Sequence, residues 1–268
     1  MPEYGKIAGD TLRRIRESKP VVHNITNYVV MNSTANVLLS MGASPIMAHA
    51  PEEVEEIVRL ANAVVINIGT LSKAWIESMN LAGRTCKAAN KPFVLDPVGA
   101  GATMLRTRTA LDLIADATPT VIRGNASEIL SLSPQGGTTR GVDSIHSVED
   151  AVDAAREVAR SLGTVVAVTG ERDVVTDGQR SLIVTGGHRL LGYVTGTGCA
   201  ATVVVAAFLA READALNATA SALAFFGLSG EKAAAQAKEP GTFWIKVLDE
   251  LYTITPEELE AKARISEI

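Results

Sequence analysis

The chain has 268 residues and a net charge of −5 without any cluster of Lys and Arg, which excludes the electrostatic footprint of a protein that binds nucleic acid or an anionic membrane surface. Hydrophobic residues make up 47% but aromatics only 4%, so the core is expected to be Ala, Val, Leu and Ile, as in alternating strands and helices, within one domain over residues 1–268. Two cysteines, Cys86 and Cys199, stand far apart with no CxxC or Cys/His spacing, which excludes a zinc site and a disulfide framework.

In chain order, Met1 to Pro20 reads as a polar amphipathic helix carrying Arg13, Arg14, Arg16 and Glu17. It lacks the apolar stretch of a signal peptide, and no run approaches the roughly 20 apolar residues of a membrane span, so a cytoplasmic location is expected. Val21-Val22 leads into His23, followed by a helix from about Asn27 to Met41 and a strand over Ser44 to Met47. The alternation repeats: helix Glu52 to Asn62, strand Ala63 to Ile68, helix Ser72 to Asn90 with Leu81 and Cys86 on its apolar side, strand Pro92 to Leu95, helix Leu105 to Ala117, strand Thr120 to Ile122. Continuous apolar strands of this kind indicate a mostly parallel sheet covered on both faces. Ser133 to Ser147, rich in Gly, Ser and Thr, is the one expected flexible excursion. Then come the helix Val148 to Leu162, the strand Thr164 to Val168 and a hairpin, Asp173 to Val184, around Asp177-Gly178. The remainder reads as helical to the end, with breaks near Asp214 and Pro240.

In an open parallel sheet a ligand crevice lies beyond the carboxyl ends of the strands. Those ends here carry His23-Asn24-Ile25-Thr26-Asn27, Met47-Ala48-His49, Gly69-Thr70, Asp96-Pro97, Arg123-Gly124-Asn125, Glu128 and Thr169-Gly170. Asp96 and Glu128 are a carboxylate pair suited to Mg²⁺ with phosphate oxygens; equally, Glu128 reads as a first-turn acid on a helix capped by Asn125. Arg123 has the donor fork to neutralise a phosphate, or to pair with Asp96. His23, His49, His146 and His188 form no ligand set, and Cys86 reads as core.

The turn Tyr193-Val194-Thr195-Gly196-Thr197-Gly198-Cys199 opens an Ala/Val-rich helix, and bare N–H groups at a helix start bind anions. It also fits Gly-x-Gly-x-x-Ala, but no βαβ unit follows it, and a Walker A motif is absent from the chain. A thiol in that position is expected to have a depressed pKa and so to be a weak proton acceptor.

Asn125-Ala126-Ser127-Glu128 resembles the Asn-x-x-Glu magnesium motif of ribokinase-like kinases, and Gly196-Thr197-Gly198-Cys199 stands where those enzymes carry Gly-Ala-Gly-Asp. With cysteine in place of the aspartate, and with Val22 to Asn27, Ser44 to Ala48, Leu95 to Ala100 and Val121 to Asn125, the chain resembles the hydroxyethylthiazole kinases from about Val21 to Leu251. The resemblance implies a three-layer α/β/α ribokinase-like fold and phosphorylation of 4-methyl-5-(2-hydroxyethyl)thiazole by ATP and Mg²⁺ in thiamine biosynthesis. It also implies a homotrimer with the thiazole pocket at subunit interfaces. Residue by residue, it implies that Met47, Gly196, Asn24 and Gly69 contact the thiazole and that Arg123, Thr169, Thr197 and Gly198 contact ATP. Asp96 and Glu128 would then serve the metal, and Cys199 would face the acceptor hydroxyl. A sugar or pyrimidine kinase, a nucleotide-dependent dehydratase and an idle binder on the same scaffold are the rival readings.

Overall fold

A computed structural model describes residues 4–133 and 148–268; most of the Gly/Ser/Thr-rich excursion, with His146, lies outside the described residues. Eleven helices and nine strands alternate among them: α1 (Tyr4–Ser18), β1 (Val21–Ile25), α2 (Met31–Met41), β2 (Ser44–Ile46), α3 (Pro51–Leu60), β3 (Ala63–Asn67), α4 (Lys73–Ala89), β4 (Phe93–Asp96), α5 (Met104–Ala117) and β5 (Val121–Asn125). There follow α6 (Ala126–Leu130), α7 (Val148–Leu162), β6 (Val165–Thr169), β7 (Arg172–Thr176), β8 (Ser181–Thr185), α8 (Thr197–Leu209), α9 (Ala215–Gln236), α10 (Pro240–Thr253), α11 (Pro256–Lys262) and β9 (Ile265–Glu267). One sheet holds every strand, in the order β2-β1-β3-β4-β5-β6-β7-β8-β9. The first six strands of that order are parallel, and the last three join antiparallel.

The alternation of side chains along each strand divides the core in two. Val22, Val65, Val94, Val121 and Ala167 face α1, α2, α8 and α9, whereas Ile25, Ile66, Leu95, Ile122 and Val168 face α3, α4, α5 and α7. This is the expected three-layer α/β/α arrangement. Helix α8 is buried on every side from Ala200 to Leu209, as a helix that is apolar all round must be. Its long axis therefore runs within the core, and only its first turn opens to the strand ends.

Two expected elements differ. The helix placed from Asn27 starts at Met31, because the Asn27 carboxamide is engaged elsewhere: its Oδ1 accepts from the Val29 N–H at 3.1 Å and its Nδ2 donates to Asn67. A side chain that caps its own backbone in this way competes with helix formation. The end of the chain is not helical throughout, because Ile265–Glu267 pairs antiparallel with β8, Ile265 opposite Val184. Three residues carry too little periodicity to announce a strand, and the pairing comes from the exposed edge of β8.

Candidate active site

Counting two residues on from the apolar row facing α8 gives Asn24, Asn67, Asp96, Arg123 and Thr169, on the same face of β1, β3, β4, β5 and β6. Asn67 stands opposite Asp96 in the sheet register, whereas Asn24 stands opposite Val65, one level deeper. The strand period thus lays a polar row along the carboxyl ends, and the first turn of α8 comes down on it.

Gly196 is the N-cap of α8, with φ 84°, and a Cβ there would lie 2.5 Å from Val30 Cγ1. The left-handed backbone and the missing side chain are both required for the turn to enter. The first helical bond runs from the Ala200 N–H to Gly196 O at 2.8 Å, so the preceding N–H groups of Thr197, Gly198 and Cys199 have no acceptor within the helix. Gly198 lies against Arg123, where a Cβ would stand 2.8 Å from Nη1. The absent methyl lets the guanidinium reach the helix start. The Thr197 hydroxyl donates to Leu191 O at 2.9 Å, so its side chain ties the turn down and only its backbone faces outward.

Of the two roles considered for Arg123, the structure shows the pairing with Asp96. Its Nη2 donates to the Thr169 hydroxyl at 2.5 Å and its Nη1 lies 3.9 Å from Asp96 Oδ2, while Nε is buried without a partner. Asp96 is 1% exposed. Its Oδ2 accepts from Asn67 Nδ2 and from the Thr202 hydroxyl, both at 2.8 Å, and its Oδ1 is buried and unpartnered. Burial pushes its pKa up, with Arg123, Thr202 and Asn67 working against that rise and the Glu128 charge adding to it. Glu128 closes a capping box with Asn125: Oε2 accepts from the Asn125 N–H and Oε1 from the Gly99 N–H, each at 2.9 Å. The first-turn reading of Glu128 therefore holds, and the same bonds pin the Gly99 loop beside Asp96.

Among the described residues no three His, Cys, Asp or Glu side chains gather as a metal cage. The donor set fits Mg²⁺ all the same, since that ion uses one or two carboxylates and takes its other ligands from phosphate and water. The orphaned Asp96 Oδ1 is the atom such an ion would satisfy.

Cys199 is half-buried, and its Sγ receives N–H groups from Asn67 at 3.2 Å and Asn27 at 3.6 Å. The expected depressed pKa is corrected here. Burial, then the Asp96 charge, push the thiol up to about 12, because removing a small anion from water costs more than the first turn of a helix returns.

Beside the row opens a cleft of about 450 Å³ lined by Arg123, Thr169, Asp173, Gly198, Leu223 and Phe226 among others. It is bounded by the α8 turn on one side and by Leu223, Phe226 and Gly227 of the middle of α9 on another. Asp173 accepts from the Gly170 N–H at 3.0 Å, and burial raises its pKa to about 6.

Not every residue named from the sequence joins this group. Gly69 does, donating its N–H to Asn67 Oδ1 at 2.9 Å and accepting from Arg106 Nη2 at 2.8 Å. Asn24 is 1% exposed, gives Nδ2 to Val22 O and leaves Oδ1 unpartnered beneath the row. Met47 lies beyond the edge strand β2, half-buried, two residues before His49, whose ring packs on Trp75 at 4.7 Å with Tyr28 on the same indole. Asn67, Thr202, Arg106 and Asp173 were not singled out from the sequence, and Asn27 was named there within the strand-end run from His23 without a role. Asn67 had a signal, since Val65-x-Asn67 repeats the Val94-x-Asp96 spacing; Arg106 reaches Val98 O and Gly69 O from the first turn of α5 and had none.

Comparison with known proteins bears on this geometry. Residues 12–257 match the model of the hydroxyethylthiazole kinase family. A hydroxyethylthiazole kinase of Desulfotalea psychrophila is 55% identical over 267 residues, 100% of this chain and 98% of the relative. The structure of a hydroxyethylthiazole kinase from Pyrococcus horikoshii superposes with a TM-score of 0.91 at 48% identity, covering 98% of this chain and 99% of that one. A ribokinase-like superfamily protein from Enterococcus faecalis shares the fold alone, with a TM-score of 0.65 at 14% identity over 92% and 95% of the two chains. The polar row, the glycine turn and these likenesses agree, and the chain belongs to the hydroxyethylthiazole kinase family of ATP-dependent kinases.

Proposed function

We propose that this kinase of thiamine biosynthesis transfers the γ-phosphoryl group of ATP to the hydroxyl of 4-methyl-5-(2-hydroxyethyl)thiazole. The observation that carries the reading is the descent of the α8 first turn, with its free N–H groups, against Arg123, which lines the 450 Å³ cleft and lies 3.9 Å from Asp96. Phosphoryl transfer requires in-line placement and stabilisation of spreading charge more than covalent help. The N–H groups of Thr197, Gly198 and Cys199 supply fixed dipoles for the equatorial oxygens. Arg123 adds a guanidinium held in place by Thr169, and Leu223 and Phe226 give the cleft an apolar end for the base. Asp96 through Oδ1, with Glu128 nearby, would hold Mg²⁺, which when bound neutralises the β/γ-phosphates.

Cys199 sits at the junction of the cleft and the polar row. With its thiol held protonated near neutral pH, it shapes the acceptor pocket and contributes little to proton removal. The acceptor pocket extends toward Met47 and the β2 edge, and we infer a homotrimer in which a neighbouring subunit completes it. In support, Tyr28 and Val29 are 63% and 64% exposed at this same corner, more apolar surface than a strand end needs to leave open. ATP consumption measured against a panel of thiazole, pyrimidine and sugar alcohols tests the substrate. Turnover of another alcohol without turnover of the thiazole alcohol overturns the reading, and light scattering at the mass of a monomer overturns the trimer.

A further inference from the structure

The polar row contains one side chain whose every hydrogen-bonding position is used. Asn67 is 1% exposed. Its Nδ2 donates to Asp96 Oδ2 at 2.8 Å and to Cys199 Sγ at 3.2 Å, and its Oδ1 accepts from Asn27 Nδ2 and the Gly69 N–H, both at 2.9 Å. The amide has only one orientation available. A backbone N–H can only donate, so the atom facing Gly69 must be oxygen, and the amine is thereby turned toward the carboxylate and the sulfur.

We propose that Asn67 is a positioning residue that ties Cys199 on the acceptor side to Asp96 on the phosphate side, so that the distance between alcohol and phosphate is set by one amide. The proposal rests on the thiazole kinase reading above. Its physical content is geometric. Asn67 and Asn27 together occupy the lone-pair side of Sγ, which turns the thiol proton away from both amides and fixes the sulfur relative to the row. Thr202 holds Asp96 Oδ2 from the helix that carries Cys199, so sulfur and carboxylate are linked twice, once through α8 and once through Asn67. Asn27 also reaches the thiol, at 3.6 Å from just past the end of β1, but Asn67 is the side chain that bonds both sulfur and carboxylate. Removing it leaves the α8 turn and Arg123 in place for ATP but frees the acceptor side, and a misplacement on the order of 1 Å costs about 10²-fold in rate.

Asn67→Ala removes the bonds to both Asp96 and Cys199 and leaves the α8 link, and Asn67→Asp keeps the acceptors for Asn27 and Gly69, shares a proton with Asp96 and loses the donor to Cys199. Both variants and the unaltered protein are assayed with the thiazole alcohol, and the Cys199 S–H stretching band, assigned by its loss in Cys199→Ala, is recorded by infrared spectroscopy. The expected result is a kcat about 100-fold lower in either variant, with KM for ATP within about twofold, and a shifted Cys199 band beside an unmoved Cys86 band. A kcat within about threefold of the unaltered protein, or an unshifted Cys199 band, overturns the proposal. Absence of turnover by the unaltered protein instead overturns the thiazole reading. The band then decides on Asn67 alone, supporting the tie if shifted and overturning it if not.

Discussion

The two faces of the sheet end differently on the same five strands. Toward α8 the row near the carboxyl end is Asn24, Asn67, Asp96, Arg123 and Thr169; toward α4 and α5 it is Ile25, Ile66, Leu95, Ile122 and Val168. The neighbours in sequence differ by one step of the pleat, so hydropathy averaged along a strand conceals the difference. The chemistry collects on the face where the first turn of α8 comes down on the strand ends, because there buried polar groups find donors and partial positive charge, while the opposite row is apolar and packs against apolar side chains.

The sharpest way to break this asymmetry is on the α8 side. Asp96→Asn and Arg123→Ala are predicted to lower kcat/KM by about 10³-fold with little change in melting temperature, checked by steady-state kinetics and calorimetry; a loss of fold with retained specific activity would contradict the assignment. On the opposite face Leu95→Ala should do the reverse, costing about 2–5 kcal/mol of stability by denaturant titration while the folded enzyme keeps its KM. Gly198→Ala places a methyl 2.8 Å from Arg123 Nη1 and is expected to raise KM for ATP about tenfold by displacing the guanidinium. Cys199→Ala should stay within about tenfold of the unaltered kcat, as befits a protonated pocket residue; a fall of about 10⁴-fold would make the thiol indispensable.

The smallest effect concerns Asp173. Its carboxyl titrates at about 6 in place of 3.8, so between those values the folded chain binds more protons than the unfolded one, and stability falls as pH rises through that window. Asp173→Asn, which still accepts from Gly170, is expected to melt higher than the unaltered protein above pH 6, the gap closing toward pH 4. Equal melting temperatures at both ends would show that burial does not penalise this group.

Most of the sheet was legible because its strands are continuous runs such as Ala63 to Ile68, bounded by Gly and Asp. The row was legible in part, since Asp96, Arg123 and Thr169 are chemically conspicuous at strand ends. Asn67 was hidden by its ordinary chemistry and becomes significant only when the pleat sets it beside Asp96. The Cys199 thiol was misread because its pKa is decided by burial and by a carboxylate more than 100 residues away in sequence, neither visible in a local motif. Strand β9 was missed for a related reason, as its partner is an edge more than 80 residues earlier.

The distance in sequence between Asn67 and Cys199, 132 residues, also has a meaning in time. At the roughly 5–20 residues per second of synthesis, Asn67 leaves the ribosome about 7 to 26 s before Cys199, with β1 emerging earlier than β3, and β4 and β5 later, all ahead of the helix that covers them. During that interval the unfinished face presents amides, a carboxylate and a guanidinium at one end, groups that water solvates readily. The residues that later lie buried beneath the first turn of α8 thus keep a nascent sheet wetted at the end where it waits longest for its cover.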